Sequence, residues 1–165
     1  MANRRTSIAA LAALAIGLSV ASTASAQTSH EGWPHIDGVL KINKDDGNDT
    51  MSGTRKSDEL LGGHDSDTLY GRGRADVLWG DYKPSGQGNA QVDHLYGGDG
   101  SDFIYASHGR NMIAAGAGND TVHAHFGRGS IDCGGGRDTL FISHRSKPGY
   151  KISRCEKISF KTVGH

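Results

Sequence analysis

Aspartate recurs every nine residues through most of this chain, and no other feature narrows the fold as much. Asp49, Asp58, Asp67 and Asp76 stand at steps of nine, and after a gap of 17 the series resumes at Asp93, Asp102, Asn111, Asp120, Gly129 and Asp138. Eight of these ten register positions are Asp and one is Asn. Two residues after each comes an aliphatic side chain or Met: Met51, Leu60, Leu69, Leu78, Leu95, Ile104, Ile113, Val122, Ile131 and Leu140. A fixed short period of this kind marks stacked repeats, in which each unit buries its apolar side only against its neighbours. Carried backwards, the register reaches Ile42 and Trp33 at the apolar position, so the segment before Asp49 is expected to cap the stack. The gap of 17 is nine plus eight, and residues 82–89 read as a loop insertion.

The glycines fall in the same frame. Residues 97–105 form a complete Gly-Gly-x-Gly-x-Asp-x-apolar-x unit, and residues 115–123 and 133–141 each differ from it at one position. On these residues the chain resembles the RTX, or haemolysin-type, calcium-binding nonapeptide repeat family over about residues 44–143. The resemblance implies an all-β fold, a parallel β-roll (β-solenoid), with Ca²⁺ as its cofactor and an extracellular working place. In that family the repeats usually accompany a protease, lipase, epimerase or pore-forming domain. No such region is recognised here, so the expectation is a stand-alone, non-enzymatic module that folds on Ca²⁺ outside the cell.

The spacing also supports this reading on physical grounds. One apolar residue at the centre of a three-residue strand points inward while its neighbours point out, and the other six residues turn. Two strands and two turns close a coil of 18, and coils stacked at about 4.8 Å pair every strand with those above and below. The turn carboxylates then form two columns. One holds Asp58, Asp76, Asp102, Asp120 and Asp138; the other holds Asp49, Asp67, Asp93, Asn111 and Gly129. Like charges about 5 Å apart repel, more strongly as they are buried. A hard cation that accepts six to eight carboxylate and carbonyl oxygens relieves this, and Ca²⁺ suits such a shell better than Mg²⁺ or a thiolate-seeking metal. The expected sites lie between the turns of Asp102, Asp120 and Asp138, with carbonyls of Gly98, Gly100, Gly116, Gly118, Gly134 and Gly136. Asp49/Asp67 and Asp93/Asn111 form a second set. Near Asp58 and Asp76, Lys56, Arg72 and Arg74 replace glycines of the repeat, and one of Lys56, Arg72 or Arg74 is expected to neutralise the carboxylates in place of a metal.

The ends of the chain carry further signals. Arg4 and Arg5, an apolar run from Ile8 to Val20 and Ala24-Ser25-Ala26 have the order of a secretory signal peptide at residues 1–26. The run is too short to span a bilayer, so no membrane partner is expected after cleavage. Residues 27–43 would then form an N-terminal cap, 44–143 the roll and 144–165 a C-terminal cap. Cys133 and Cys155 are the two cysteines, and in an exported chain they are expected to form a disulfide that tethers this last segment. On the outside of one sheet Trp79, Tyr105 and Phe141 recur in a single column, a possible ligand face for extracellular polysaccharide or protein. An adhesin working through that face is the alternative reading, and a small polysaccharide-active enzyme is a further one. The charge balance of 18 Lys+Arg against 18 Asp+Glu argues against nucleic acid as a partner.

Overall fold

Every nine residues the chain has length for one short strand and one tight turn, and the structure is built from this unit. The computed structural model describes residues 32–43, 46–82 and 88–161. The expected signal peptide and part of the insertion lie outside the described residues.

Two parallel sheets face each other. The first contains β1 (Leu40–Ile42), β3 (Glu59–Leu61), β5 (Val77–Trp79), β7 (Phe103–Tyr105), β9 (Thr121–Ala124), β11 (Thr139–Ile142) and β13 (Lys157–Ser159), side by side in that order. The second contains β2 (Thr50–Ser52), β4 (Thr68–Gly73), β6 (Val92–Asp99), β8 (Arg110–Ala117), β10 (Arg128–Gly135) and β12 (Tyr150–Ser153). The chain alternates between sheets at each turn, which makes a β-solenoid of the β-roll kind. Register follows the sequence period: Ile104 pairs with Val122 and Ile113 with Ile131, 18 positions apart. Across the insertion Leu78 pairs with Ile104 and Leu69 with Leu95, 26 positions apart, so the eight extra residues are looped out and the stack continues unbroken.

The inner columns are those the period predicts. Leu60, Leu78, Ile104, Val122 and Leu140 of the first sheet, and Leu69, Leu95 and Ile131 of the second, are fully buried. Each such side chain contributes about 1.5–3 kcal/mol relative to an exposed one. A second inward position, two residues further along, is held by small side chains: Gly71 and Gly97 in early coils, then Ala106, Ala115, Ala124 and Cys133. In the second sheet the strands continue past this position, and β6, β8 and β10 run to eight residues, not three. Their ladders continue into turns of identical shape, as the pairing of Gly98 with Gly116 and of Gly116 with Gly134 shows.

The N-terminal end differs from expectation at two residues. Lys41, not Ile42, stands opposite Leu60, and Ile42 is 40 % exposed. Trp33 also leaves the inner register. It packs on the outside of the first sheet with Ile36, Val77, Trp79, Phe103 and Tyr105. At the other end Cys133 and Cys155 are joined by a disulfide closing a span of 22 residues, worth about 3 kcal/mol through the entropy of the unfolded chain.

Candidate metal centres

The turns that lead from the second sheet to the first bring Asp58, Asp76, Asp102, Asp120 and Asp138 into one column, all at most 1 % exposed. From Asp76 onward each carboxylate uses Oδ1 in the same way, accepting the main-chain N–H of its counterpart in the coil before. Asp76 Oδ1 accepts from Asp58 N at 2.7 Å, and Asp102, Asp120 and Asp138 accept from Asp76, Asp102 and Asp120 at 2.8 Å. The series ends with Glu156 Oε2, which accepts from Asp138 N at 2.8 Å.

The second oxygen is the informative one. Oδ2 of Asp76, Asp102, Asp120 and Asp138 is buried and has no hydrogen-bond partner. A buried carboxylate oxygen left without a proton or a cation is costly, so these groups are pushed toward the neutral form. Burial, opposed by the N–H bonds and reinforced by neighbouring carboxylates, raises Asp76 to about 8, Asp102 to about 7 and Asp120 to about 6 from the ordinary 3.8, and raises Asp138 too. In chelator, therefore, the folded chain holds protons that the unfolded chain releases. The stability this gives is complete below pH 3.8 and is lost as pH rises through about 6 to 8. In EDTA the β signal is expected to be higher at pH 5 than at pH 8, and a signal rising with pH across that range would contradict the assignment.

The surroundings of Oδ2 fit a cation that prefers oxygen. A Cβ placed on Gly97 would lie 2.3 Å from both Asp102 Oδ2 and the Ala115 carbonyl oxygen. One on Gly71 would lie 2.5 Å from both Asp76 Oδ2 and the Gly97 carbonyl oxygen. Glycine at this position leaves a cradle open between a carboxylate of one coil and a carbonyl of the next. Among the described residues no three His, Cys, Asp or Glu side chains converge on one point. A cation here must take much of its shell from main-chain carbonyls, as Ca²⁺ readily does. The carbonyl columns come from Gly98, Gly100, Gly116 and Gly118, each oxygen lying against Gly116, Gly118, Gly134 or Gly136 of the next coil.

Asp58 is different, and for a reason the sequence analysis misplaced. Its Oδ1 accepts from Val39 N and its Oδ2 from Thr54 N, so protein hydrogens already satisfy it. Two of the expected cations turn elsewhere. Lys56 Nζ bonds the Asp37 carbonyl at 3.2 Å, and Arg74 Nη1 lies 3.6 Å from Asp37 Oδ2. Arg72 and Arg74 do hold the glycine conformation of the repeat, with φ of 88° and 69°. That conformation costs a side chain about 1–2 kcal/mol. Arg74→Gly is therefore expected to stabilise the roll by ~0.5–1 kcal/mol in urea unfolding, part of the gain being offset by the looser unfolded chain; no gain would mean that the strain is relieved elsewhere.

The opposite edge is also a column of acids, but one closed by the protein itself. Asp67 Oδ1 accepts from Asp49 N and Oδ2 from Gly63 N, both at 2.9 Å. Asp93 Oδ1 accepts from Asp67 N at 3.0 Å, and Oδ2 takes the Ser107 hydroxyl at 2.6 Å. Asn111 spends its amide N–H groups on the Ser107 carbonyl and the Tyr150 hydroxyl. Sequence reasoning did not single out Thr54, Ser107, Tyr150 or Glu156. Glu156 alone had a signal, since it lies 18 positions beyond Asp138.

The outer aromatic column forms as expected, with ring centroids of Trp79, Tyr105, His123 and Phe141 4.7–5.0 Å apart. It is not an open face along its length. Trp33 Nε1 donates to the Tyr105 hydroxyl at 2.6 Å, and Tyr105 is only 6 % exposed. The N-terminal segment covers the Trp79–Tyr105 end, packing Trp33 and Ile36 against those rings.

A family model described as the RTX calcium-binding nonapeptide repeat (4 copies) matches residues 45–78, 87–122 and 109–140. No curated protein and no solved structure matches the chain.

Proposed function

This chain belongs to the RTX calcium-binding nonapeptide repeat family, and from that premise we propose that it is a secreted module whose roll closes on Ca²⁺ outside the cell. RTX nonapeptide repeats bind Ca²⁺, and the β-roll they build is generally a non-enzymatic structural module. The column of four buried, partnerless Oδ2 atoms carries the proposal. Asp76, Asp102, Asp120 and Asp138 would hold the metal together with carbonyls of Gly98, Gly100, Gly116, Gly118, Gly134 and Gly136. When bound, Ca²⁺ supplies the positive charge that lets the column ionise without self-repulsion. The chain's own part is to hold Oδ1 on the preceding coil and so aim Oδ2 into the gap. Asp67, Asp93 and Asn111 are assigned to hydrogen bonding, which their partners favour, and Asp58 likewise; Asp49 is exposed and gives its main-chain N–H to Asp67.

Export is supported by the signal-like residues 1–26 and by the disulfide. RTX repeat proteins are typically secreted, and no helix among the described residues is long and apolar enough to cross a membrane. Free Ca²⁺ is scarce in cytosol, and extracellular modules bind it at about 10⁻⁴–10⁻³ M. Binding coupled to folding leaves the chain loose before export and rigid after it. The adhesin reading through Trp79, Tyr105 and Phe141 has less to support it, since Trp33 and Ile36 lie on two of those rings.

Circular dichroism of the oxidised chain from Gln27 onward, titrated from EDTA into Ca²⁺ at pH 7.5, tests the proposal. A cooperative rise of β signal near millimolar Ca²⁺ is expected. A full β spectrum in EDTA that Ca²⁺ does not change would overturn it.

A further inference from the structure

The edge opposite the metal column changes character along the roll. Its register positions are Asp49, Asp67 and Asp93 in the early coils but Asn111 and Gly129 in the later ones. Where the carboxylates stop, cations begin. A cleft of 580 Å³ opens between the turns of the later coils, and His108, His125, Phe126, Arg128, Arg145 and Ser146 line it. No Asp or Glu is among its lining residues. The place of the missing carboxylate is taken by the Tyr150 hydroxyl, which receives Asn111 Nδ2 at 3.1 Å and donates to the Phe126 carbonyl at 2.9 Å. That network holds the main chain of the lining residue Phe126 without adding negative charge. Ser146 Oγ, bonded to the His125 carbonyl at 2.6 Å, holds the two turns together.

The geometry points to this cleft as an oxyanion-binding site. Its ligand presents a carboxylate or sulfate to Arg128 and Arg145 and lays a ring against Phe126. Guanidinium groups match planar oxyanions through paired hydrogen bonds. Phe126 is 56 % exposed and its ring stacks on that of His108 at 4.6 Å, a ready-made flat surface beside the charges. The volume exceeds what a single inorganic ion fills and lies within the range of small-molecule sites. The charge of the whole chain supports the same polarity. Residues 37–67 carry eight Asp/Glu against four Lys/Arg, whereas residues 124–161 carry three against eight. Anions are therefore drawn to the C-terminal end of the roll.

The test uses the full chain in constant free Ca²⁺, followed by ¹H–¹⁵N spectra. Sodium glucuronate and sodium sulfate are added separately up to about 50 mM, well above a millimolar Kd, with glucose as the neutral control. Both anions are expected to shift the amides of Gly109, Gly127, Arg128 and Ser146, and glucose to leave them in place. Tighter binding of glucuronate identifies an acidic sugar as the source of the oxyanion, and equal binding identifies a free anion. Arg128→Ala with Arg145→Ala should weaken both by about tenfold or more, with the Ca²⁺ titration unchanged. If the double variant melts lower, Arg145→Gln alone makes the comparison, since Arg145 is exposed and outside every strand. Absence of shifts, equal shifts from glucose, or undiminished binding by the variants overturns the assignment.

Discussion

Asp102→Asn is expected to change stability in opposite directions depending on whether calcium is present. The substitution keeps Oδ1, so the 2.8 Å bond from Asp76 N survives. It replaces the partnerless Oδ2 with an N–H group beside the Ala115 carbonyl, next to the cradle at Gly97. In EDTA at pH 8 it removes a buried charge whose pKa lies at about 7, and should raise stability by on the order of 1–3 kcal/mol. In Ca²⁺ it removes a ligand and a charge, and should shift the titration midpoint upward by about tenfold or more, ~1.4 kcal/mol. Asp102→Ala separates the two roles. It also orphans the Asp76 amide at a cost of about 1–3 kcal/mol, so it should destabilise in Ca²⁺ and gain less than the Asn variant in EDTA. An Asn variant with an unchanged Ca²⁺ midpoint would remove Asp102 from the metal assignment.

Gly118→Ala should abolish the folded state. At Gly118 φ is 138°, and an added Cβ would lie 1.6 Å from the Gly100 carbonyl oxygen in the coil beneath. Neither atom can yield, because both are main chain held in the sheet ladder and its turn. The clash also displaces a carbonyl of the candidate metal shell. A loss above about 4 kcal/mol is expected, seen as no cooperative β transition at any Ca²⁺ concentration. Gly135→Ala is the matched control. Nothing lies within 4 Å of its would-be Cβ, and its partner in the ladder is already Ala117. That change should stay within about 0.5 kcal/mol. If both variants behave alike, the close approach of coils at Gly118 is not a real constraint on the fold.

The repeat architecture was legible in the sequence because stacking writes the same demand every nine residues, and Leu60, Leu78 and Leu95 answer it identically. The eight-residue insertion was legible for the same reason, since only a looped-out segment preserves the pairing of Leu69 with Leu95. The carboxylate column could be placed, but not which carboxylates are satisfied by protein. That depends on Thr54 and Ser107, whose hydroxyl or amide reaches a carboxylate in the folded turn and which break no periodic rule. Lys56 and Arg74 were assigned to the nearest acids in register, whereas their side chains extend outward to Asp37. The cover over Tyr105 was not legible either. Trp33 fits the inner register by number, but its ring is too large for a column of Leu and Ile, and it finds room only outside.

The sharing of each Oδ1 between coils gives the molecule a direction of assembly. The amide of Asp102 is closed by Asp120 and that of Asp120 by Asp138, each 18 positions further along. No coil can finish its own turn. A chain emerging with its N-terminus first therefore always carries one incomplete coil at the growing end, and completion moves backward by one coil as each new one arrives. The last closure belongs to Glu156, which sits beside the disulfide-bonded Cys155 and follows every repeat. The roll is thus sealed by a residue that appears only after every repeat, and a chain that stops short of Glu156 leaves its final aspartate amide unclosed however complete its repeats are.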